Sequence, residues 1–583
     1  MQRQTWNALI AVAVLLSVMA ALTTVLVLAV DLSSPTVVTT NGSTADLFAG
    51  RVKLPNGMEL RGEQYWQADN GEEKAFAYYG YKYGTANRFE ASIANTNFSY
   101  YMYRDNDTGG THSRLGHACP QIISLTAPIP FGTGGVALNT SEDCLFLDVY
   151  LPPIKRDETE AWPVLLWIHG GSFRTGNKDM YNASILARAV NAVVVVVNYR
   201  LGVFGFLSTA DDTARGNWAI GDLKLAVNWT IANAAAFNGD PARLTIVGGS
   251  AGAALTSALM LDDDVRGKVQ VAVAMSGSIL SPWAVVPNPK TMATQLAADL
   301  GCPTSTVSAE IVQCLKKQPV DRVLSSSLSA TVTGGIKRMF AFAPVVDGIH
   351  VPKAPIEVLR ERANRPKSAK PVGRFIAGYL KDDSSVFLEP SPSSLATLNI
   401  TLASQILSGI LQWAYRTPIC LATDYTQLQG VFEFYNISQS SSDVQLRQGI
   451  SEITTDVAFG IGTLKESQIY AGETDSDNQM YFISYSADSK AYGAFHTLDT
   501  MHMFRGQMDR FLEGNLSEAL TTSMHNFIRQ IVHEGKATGH AYGVEGHYRE
   551  LNQQIEWTER KRNSTDMLLF WDRFSASPCS TEI

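Results

Sequence analysis

The apolar positions of the chain fall into short continuous runs, separated by longer stretches in which they recur with helical spacing. PVLLWI (163–168), AVVVVVN (192–198), LTIVGG (244–249), VQVAVAM (269–275), RFIAGY (374–379) and MYFISY (480–485) each have the length of one strand. Runs of this kind, without polar alternation, predict strands buried on both faces, as in a parallel sheet. GDLKLAVNWTIANAAAF (221–237) predicts an intervening helix, with Gly239, Asp240 and Pro241 stopping it before the next strand. The alternation predicts an α/β fold with a large, mostly parallel central sheet flanked by helices. The aromatic stretch around Tyr78, Tyr79, Tyr81 and Tyr83 predicts a small amino-terminal sheet rather than a substrate trap. No internal repeat is found.

One run differs from the rest. Residues 8–30 are apolar and uncharged, and as a helix would span roughly 34 Å, enough to cross a bilayer. Arg3 precedes the run and Asp31 follows it, which places the amino terminus in the cytosol and the remainder outside. Its length predicts an uncleaved signal anchor, a membrane attachment through the amino-terminal helix; the small residues Ala20 and Ala29 leave a cleaved signal peptide, and hence a secreted protein, open. Residues 31–48, rich in Ser and Thr, are expected to form a stalk, residues 49–577 one large domain, and residues 578–583 a short tail.

Composition narrows the partners. With 45% hydrophobic and 17% charged residues the chain can bury a large core, and a net charge of -8 without a basic stripe argues against nucleic acid as a partner. NxS/T sequons at Asn41, Asn97, Asn106, Asn139, Asn182, Asn228, Asn399, Asn436, Asn515 and Asn563 favour the secretory pathway. The six cysteines, Cys119, Cys144, Cys302, Cys314, Cys420 and Cys579, lack the clustering zinc requires, so a disulfide framework is expected and no metal site.

The candidate chemistry centres on Gly248, Gly249, Ser250, Ala251, Gly252, a GxSxG pattern between an apolar strand and the helical stretch AALTSALML. On a sharp strand-to-helix turn the glycines remove clashing Cβ atoms, and the serine is presented where the helix's first N–H groups favour negative charge. A bare GxSxG is also an ordinary Gly-rich turn. The second element, His169, Gly170, Gly171, Ser172, follows the strand PVLLWI. Backbone N–H groups on such a loop can stabilise a tetrahedral oxyanion, and glycines let the backbone approach the reacting carbonyl.

Several segments in order resemble the type-B carboxylesterases, the family that includes the cholinesterases. SEDCLFLDVYLP (141–152) is similar to the family's SEDCLYLNVYxP; WIHGGSF, NYRLGVFGFL, GNWAIGDLKLAVNW, FNGDP and VGGSAGAA follow as they do there, and the resemblance runs from about residue 50 to 575. It implies an α/β-hydrolase fold. GYLKDDSSVF (378–387) resembles GxxKDEGxxF, whose Glu is the triad acid, which implies Asp383, with Asp382 as competitor. GAFHTLDTMHMF (493–504) resembles GAxHGxELxYVF, which implies His496 rather than His502 as base. The order Ser, Asp, His is that of α/β-hydrolases.

By this resemblance Ser250 is the nucleophile, Gly170, Gly171, Ser172 and Ala251 surround the oxyanion, and no cofactor is required. Trp283 falls on the acyl-pocket side and Ser276 near the triad acid. Cys119 is expected to pair with Cys144 and Cys302 with Cys314, while a third family disulfide is replaced by Ile461 and Leu568. Gly249 stands where the family has Glu, and the loop between Cys119 and Cys144 has no tryptophan. The cation-π face that holds a quaternary ammonium is therefore missing, and choline esters are disfavoured. The expectation is a serine carboxylic-ester hydrolase for small or medium uncharged esters, with a lidded lipase as one alternative. A catalytically silent adhesion protein of the neuroligin kind is another; such members typically lose the nucleophile. A metallohydrolase is disfavoured because no HExxH motif occurs.

Overall fold

The computed structural model describes residues 44–96, 116–121, 139–155, 159–332, 340–365, 373–388, 397–415, 428–473, 479–485, 493–505, 517–536, 547–561 and 564–576. The apolar run at 8–30, most of the expected stalk, Cys420, Cys579 and the tail lie outside these residues; among the described residues no helix is long and apolar enough to cross a membrane. Of residues 31–48, expected to form a stalk, only 44–48 are among the described ones. Thr44–Phe48 already forms a helical turn whose Leu47 and Phe48 are buried in the core, so two apolar side chains draw the end of the Ser/Thr-rich stretch into the fold.

The molecule is built around a twelve-stranded mixed sheet. Its principal strands are β1 (Glu63–Gln67), β2 (Glu73–Lys82), β3 (Phe146–Tyr150), β4 (Trp162–Ile168), β5 (Val193–Val197), β6 (Gly239–Gly249), β7 (Val271–Met275), β8 (Arg374–Leu380), β9 (Gln479–Ile483), β10 (His547–Leu551) and β11 (Trp557–Lys561). They lie side by side in the order β1-β2-β3-β5-β4-β6-β7-β8-β9-β10-β11. From β5 to β10 neighbours run parallel; both edges are antiparallel. This is the α/β-hydrolase architecture.

All six predicted strands are present, and the cores explain their lack of alternation. Val193, Val195 and Val197 enter one hydrophobic cluster with Leu166 and Ile168, whereas Val194 and Val196 enter the other with Leu165 and Trp167. Each face of the sheet is buried, so each side chain of the run is wanted apolar. On the first face pack α2 (Trp218–Asn233), α3 (Ala251–Leu259) and α4 (Ile461–Glu473); on the second pack α1 (Ser184–Val190) and α5 (Glu518–Glu534). The aromatic stretch does not make a separate small sheet. Tyr78 and Tyr81 lie on β2, which pairs with β3 and so joins the main sheet.

Between Tyr78 and Tyr81 the register of β2 against β3 shifts, and there the Gly80 N–H donates to the Asp148 carboxylate at 2.6 Å. Lys178, fully buried, places its ammonium 2.9 Å from that same Asp148 oxygen and 3.1 Å from the other, with Asp179 2.5 Å from the ammonium. Breaking such a pair strands a charge in low dielectric. Lys178→Met is expected to lower the unfolding free energy by about 3–5 kcal/mol, and Asp148→Asn combined with it to restore much of the loss. Denaturant titration of the three proteins checks this; additive losses in the double variant would deny the pairing its energetic role.

The order β5-β4-β6 contains the reversal that matters for function. The chain adds β5 on one side of β4, then returns to add β6 on the other. Crevices at such reversals open outside the carboxyl ends of the strands. Here β4 ends at Ile168, whose register partner Gly248 is one residue short of the end of β6.

Candidate active site

Ser250 follows β6 directly and precedes α3, with φ 56° and ψ −121°. A non-glycine residue held there is strained, and the surroundings hold it on both sides. Its N–H donates to Met275 O at 2.8 Å, and its carbonyl accepts from Ala253 and Ala254 at 2.9 and 3.1 Å. Gly252 permits the turn's closeness: a β-carbon there would lie 2.1 Å from Ile168 O. Ser250 is 7% exposed.

The loop after β4 lies against this turn. A β-carbon on Gly170 would stand 2.8 Å from Gly249 O and 3.0 Å from the Ser250 β-carbon, so only glycine fits at this approach. Gly171, Ser172 and Phe173 all have positive φ, and the loop closes on itself there, with the Arg174 and Thr175 N–H groups each donating to Gly171 O at 3.0 Å. His169, at the base of the loop, is fully buried; burial pushes its imidazole down to about 4, against the opposing effect of its bond to Gly170 O. It is a neutral packing residue, stacked on Tyr199 at 4.4 Å.

Beyond β8, Asp383 and His496 meet. His496 Nδ1 is 2.6 Å from Asp383 Oδ1, both side chains are inaccessible to solvent, and Asp383 Oδ2 accepts the Leu380 N–H at 2.9 Å. Asp382 faces elsewhere. It bridges to Phe495 along the strand direction and accepts the Ala494 N–H at 3.0 Å. His502 is likewise engaged, 2.9 Å from Thr521 Oγ1. The structure thus brings together Asp383 and His496, not their competitors.

An aromatic wall connects this imidazole with the serine turn. Phe387 and Phe459 stand 5.2 and 4.8 Å from the His496 ring, and Phe459 lies 5.9 Å from Trp283. Trp283, 2% exposed, stacks on Phe340 at 5.3 Å and donates its indole N–H to Ala458 O at 2.8 Å. It also borders Gly277, whose β-carbon, if present, would sit 2.4 Å from Ser250 O. Phe459 comes from a π-helical turn, Asp456–Gly460, which no apolar periodicity announces.

A family model for the carboxylesterase family matches residues 50–570. The chain belongs to that family. Human neuroligin-2 is 38% identical over 421 residues, covering 67% of this chain and 48% of the relative, so the match spans about half of neuroligin-2. Rat bile salt-activated lipase is 28% identical over 462 residues, covering 74% of this chain and 73% of the lipase. Rat carboxylesterase 1D is 37% identical over 234 residues, covering 39% of this chain and 41% of the relative.

In this member of the carboxylesterase family, Cys119 is bonded to Cys144 and Cys302 to Cys314, the two pairings the resemblance implies. Leu568 belongs to the first core cluster and Ile461 packs against it. Sequence reasoning overlooked Asp499, three residues after His496 and 2% exposed. It accepts the Thr500 N–H at 2.7 Å and the Tyr481 hydroxyl at 3.1 Å. Burial, then the charge of Asp383, raise its carboxyl to about 6, with Thr500, His496 and Tyr481 opposing. The only sequence signal was its spacing behind the histidine.

An aspartate near 3.9 when unfolded and about 6 when folded binds more protons in the native state between those values, so its stabilising contribution is full below pH 4 and is lost as pH rises through 6. The loss is up to about 3 kcal/mol. Asp499→Asn should therefore flatten the fall in melting temperature between pH 4 and pH 6.5. Parallel melting profiles for the two proteins would exclude Asp499 as a titrating group.

Proposed function

We propose that this carboxylesterase-family chain is a serine hydrolase acting through an acyl-enzyme on small or medium uncharged carboxylic esters. The observation that carries the reading is the 2.6 Å bond between buried Asp383 and His496, which follow β8 and β9 in the chain as the strained Ser250 turn follows β6. Ser250 Oγ attacks the ester carbonyl while His496 takes its proton and returns it to the departing alcohol. Asp383 fixes the imidazole tautomer and stabilises its charged form. The amides of Gly170, Gly171, Ser172 and Ala251 receive the oxyanion. Water, activated by the same imidazole, then releases the acid. The partner is a small-molecule ester, and the uncharged wall of Phe173, Trp283 and Phe459 suits an apolar acyl group.

The domain is held in the secretory pathway, membrane-anchored by residues 8–30 or secreted after their removal; the two disulfides and the sequons support this placement. A second reading, a scaffold for protein interaction, is favoured by the 38% identity to neuroligin-2. It requires none of the Ser250, Asp383 and His496 constellation. A panel of p-nitrophenyl esters from acetate to palmitate, assayed with the full-length chain, separates the readings. Turnover that peaks at short or medium acyl chains is expected; a peak at palmitate would make it a lipase. No turnover, together with no covalent labelling by a fluorophosphonate, would leave the interaction reading.

A further inference from the structure

The Gly170 and Gly171 amides are useful to an oxyanion only if their loop is fixed, and the contacts that fix it come from a distant part of the chain. Gly176, with φ 111°, packs back on the loop's base: a β-carbon there would lie 2.5 Å from His169 Nδ1 and 2.7 Å from Gly170 O. The Gly176 α-carbon therefore lies close against the Gly170 carbonyl, with no room for a side chain between them. Gly176 is in turn gripped by one side chain. Gln121 Oε1 accepts the Gly176 N–H at 2.9 Å, and Gln121 Nε2 donates to Gly176 O at 2.9 Å and to Cys119 O at 3.1 Å. A primary amide pairing both ways with one glycine fixes that glycine in position and in orientation. Neither an acid nor an alkyl group of the same size can do so.

Gln121 is 6% exposed and sits two residues beyond Cys119, which is bonded to Cys144. The same disulfide holds the far end of the loop. Asn198 Nδ2 donates to Cys144 O at 3.2 Å, and Asn198 Oδ1 accepts the Lys178 N–H at 2.7 Å. The loop from His169 to Lys178 is thus tied near its end, at Gly176 and at Lys178, to the two ends of one disulfide. Nothing in the triad chemistry uses Gln121.

We infer that Gln121 is a positioning residue for the oxyanion hole, acting on Gly170 through Gly176. This deepens the esterase reading above and rests on it. A donor displaced by a fraction of an ångström stabilises the oxyanion less, while binding of the ground-state ester is little altered. The expected loss on removing the clamp is about 10- to 100-fold in kcat with KM nearly unchanged.

The test uses the full-length chain and two substitutions, Gln121→Leu, which fills the space without hydrogen bonds, and Gln121→Glu, which keeps the acceptor for the Gly176 N–H and loses both donors. Each is assayed on a p-nitrophenyl ester and on its thiono analogue, whose C=S accepts hydrogen bonds poorly. The unaltered chain should prefer the oxo ester, and both variants should narrow that preference, Gln121→Leu more than Gln121→Glu. Labelling by a fluorophosphonate should slow in proportion, while the pH at which the rate falls off on the acid side stays where it was, since His496 is untouched. An unchanged oxo-to-thiono preference in folded variants would overturn the inference. So would both variants failing to fold where the unaltered chain folds, which would assign Gln121 to the scaffold. An unaltered chain that neither turns over esters nor takes the label would remove the esterase reading first, and this inference with it.

Discussion

Ser250→Ala is expected to lower kcat for ester hydrolysis by about a millionfold. The reason is local. The only hydroxyl that the β6–α3 turn presents at the crevice is that of Ser250, and the backbone strain of φ 56° and ψ −121° is spent on presenting it. Alanine keeps the turn, the glycines around it and the loop of Gly170, so folding should be unaffected while the covalent route disappears. What remains is the far weaker assistance that oriented amides lend to attack by water. His496→Ala should fall to a similar rate, and the double variant no further, because nucleophile and base act as a unit. The measurement is turnover of a p-nitrophenyl butyrate by purified full-length protein, corrected by fluorophosphonate titration for contaminating hydrolases. Wild-type turnover in Ser250→Ala, with titratable label still present, would place the nucleophile elsewhere.

The strands that hold this turn were legible because their burial is two-sided. Every position of Val193–Val197 and of Trp162–Ile168 is buried, and the alternate residues go to different cores, so composition alone marks the strands. The edges were not legible. His547–Leu551 and Trp557–Lys561 read HYREL and WTERK, short charged segments suited to a sheet's margin and indistinguishable in sequence from loops. β2 carries a clear aromatic pattern and a local partner in β1, yet β3, the partner that joins it to the main sheet, is 64 to 73 residues away, and nothing local distinguishes a separate ribbon from an added strand of the main sheet. Strand order is likewise a property of long-range pairing.

The site divides in the same manner. The Ser250 turn is a local motif, written in five consecutive residues and the strand and helix around them. The wall is not: Phe173, Trp283, Phe340 and Phe459 come from segments far apart, and each alone reads as core. Asp499 reads as an ordinary polar residue until burial and the neighbouring Asp383 reveal its raised carboxyl. Gln121 is 55 residues from the glycine it grips, so no spacing rule could have connected them.

The remaining large effect distinguishes two adjacent carboxylates. Asp383→Asn is expected to reduce kcat by about 10,000-fold, and Asp382→Asn to leave it nearly unchanged. Asp383 Oδ1 lies 2.6 Å from His496 Nδ1, while its Oδ2 is held by the Leu380 N–H at 2.9 Å. An asparagine kept in place by that backbone N–H must use its carbonyl oxygen there and so turns its NH2 toward Nδ1. The imidazole is then driven to carry its proton on Nε2, the nitrogen that has to accept one from Ser250, and it is in the wrong tautomer for the first step. Asp382 receives the Ala494 N–H at 3.0 Å, a bond that the carbonyl of asparagine can accept equally well, and it has no contact with the imidazole to lose. Parallel kcat measurements on the two variants, with thermal melts to show both are folded, decide between them. A loss confined to Asp382→Asn would transfer the acid's role to the neighbouring residue and require the 2.6 Å bond to be structural.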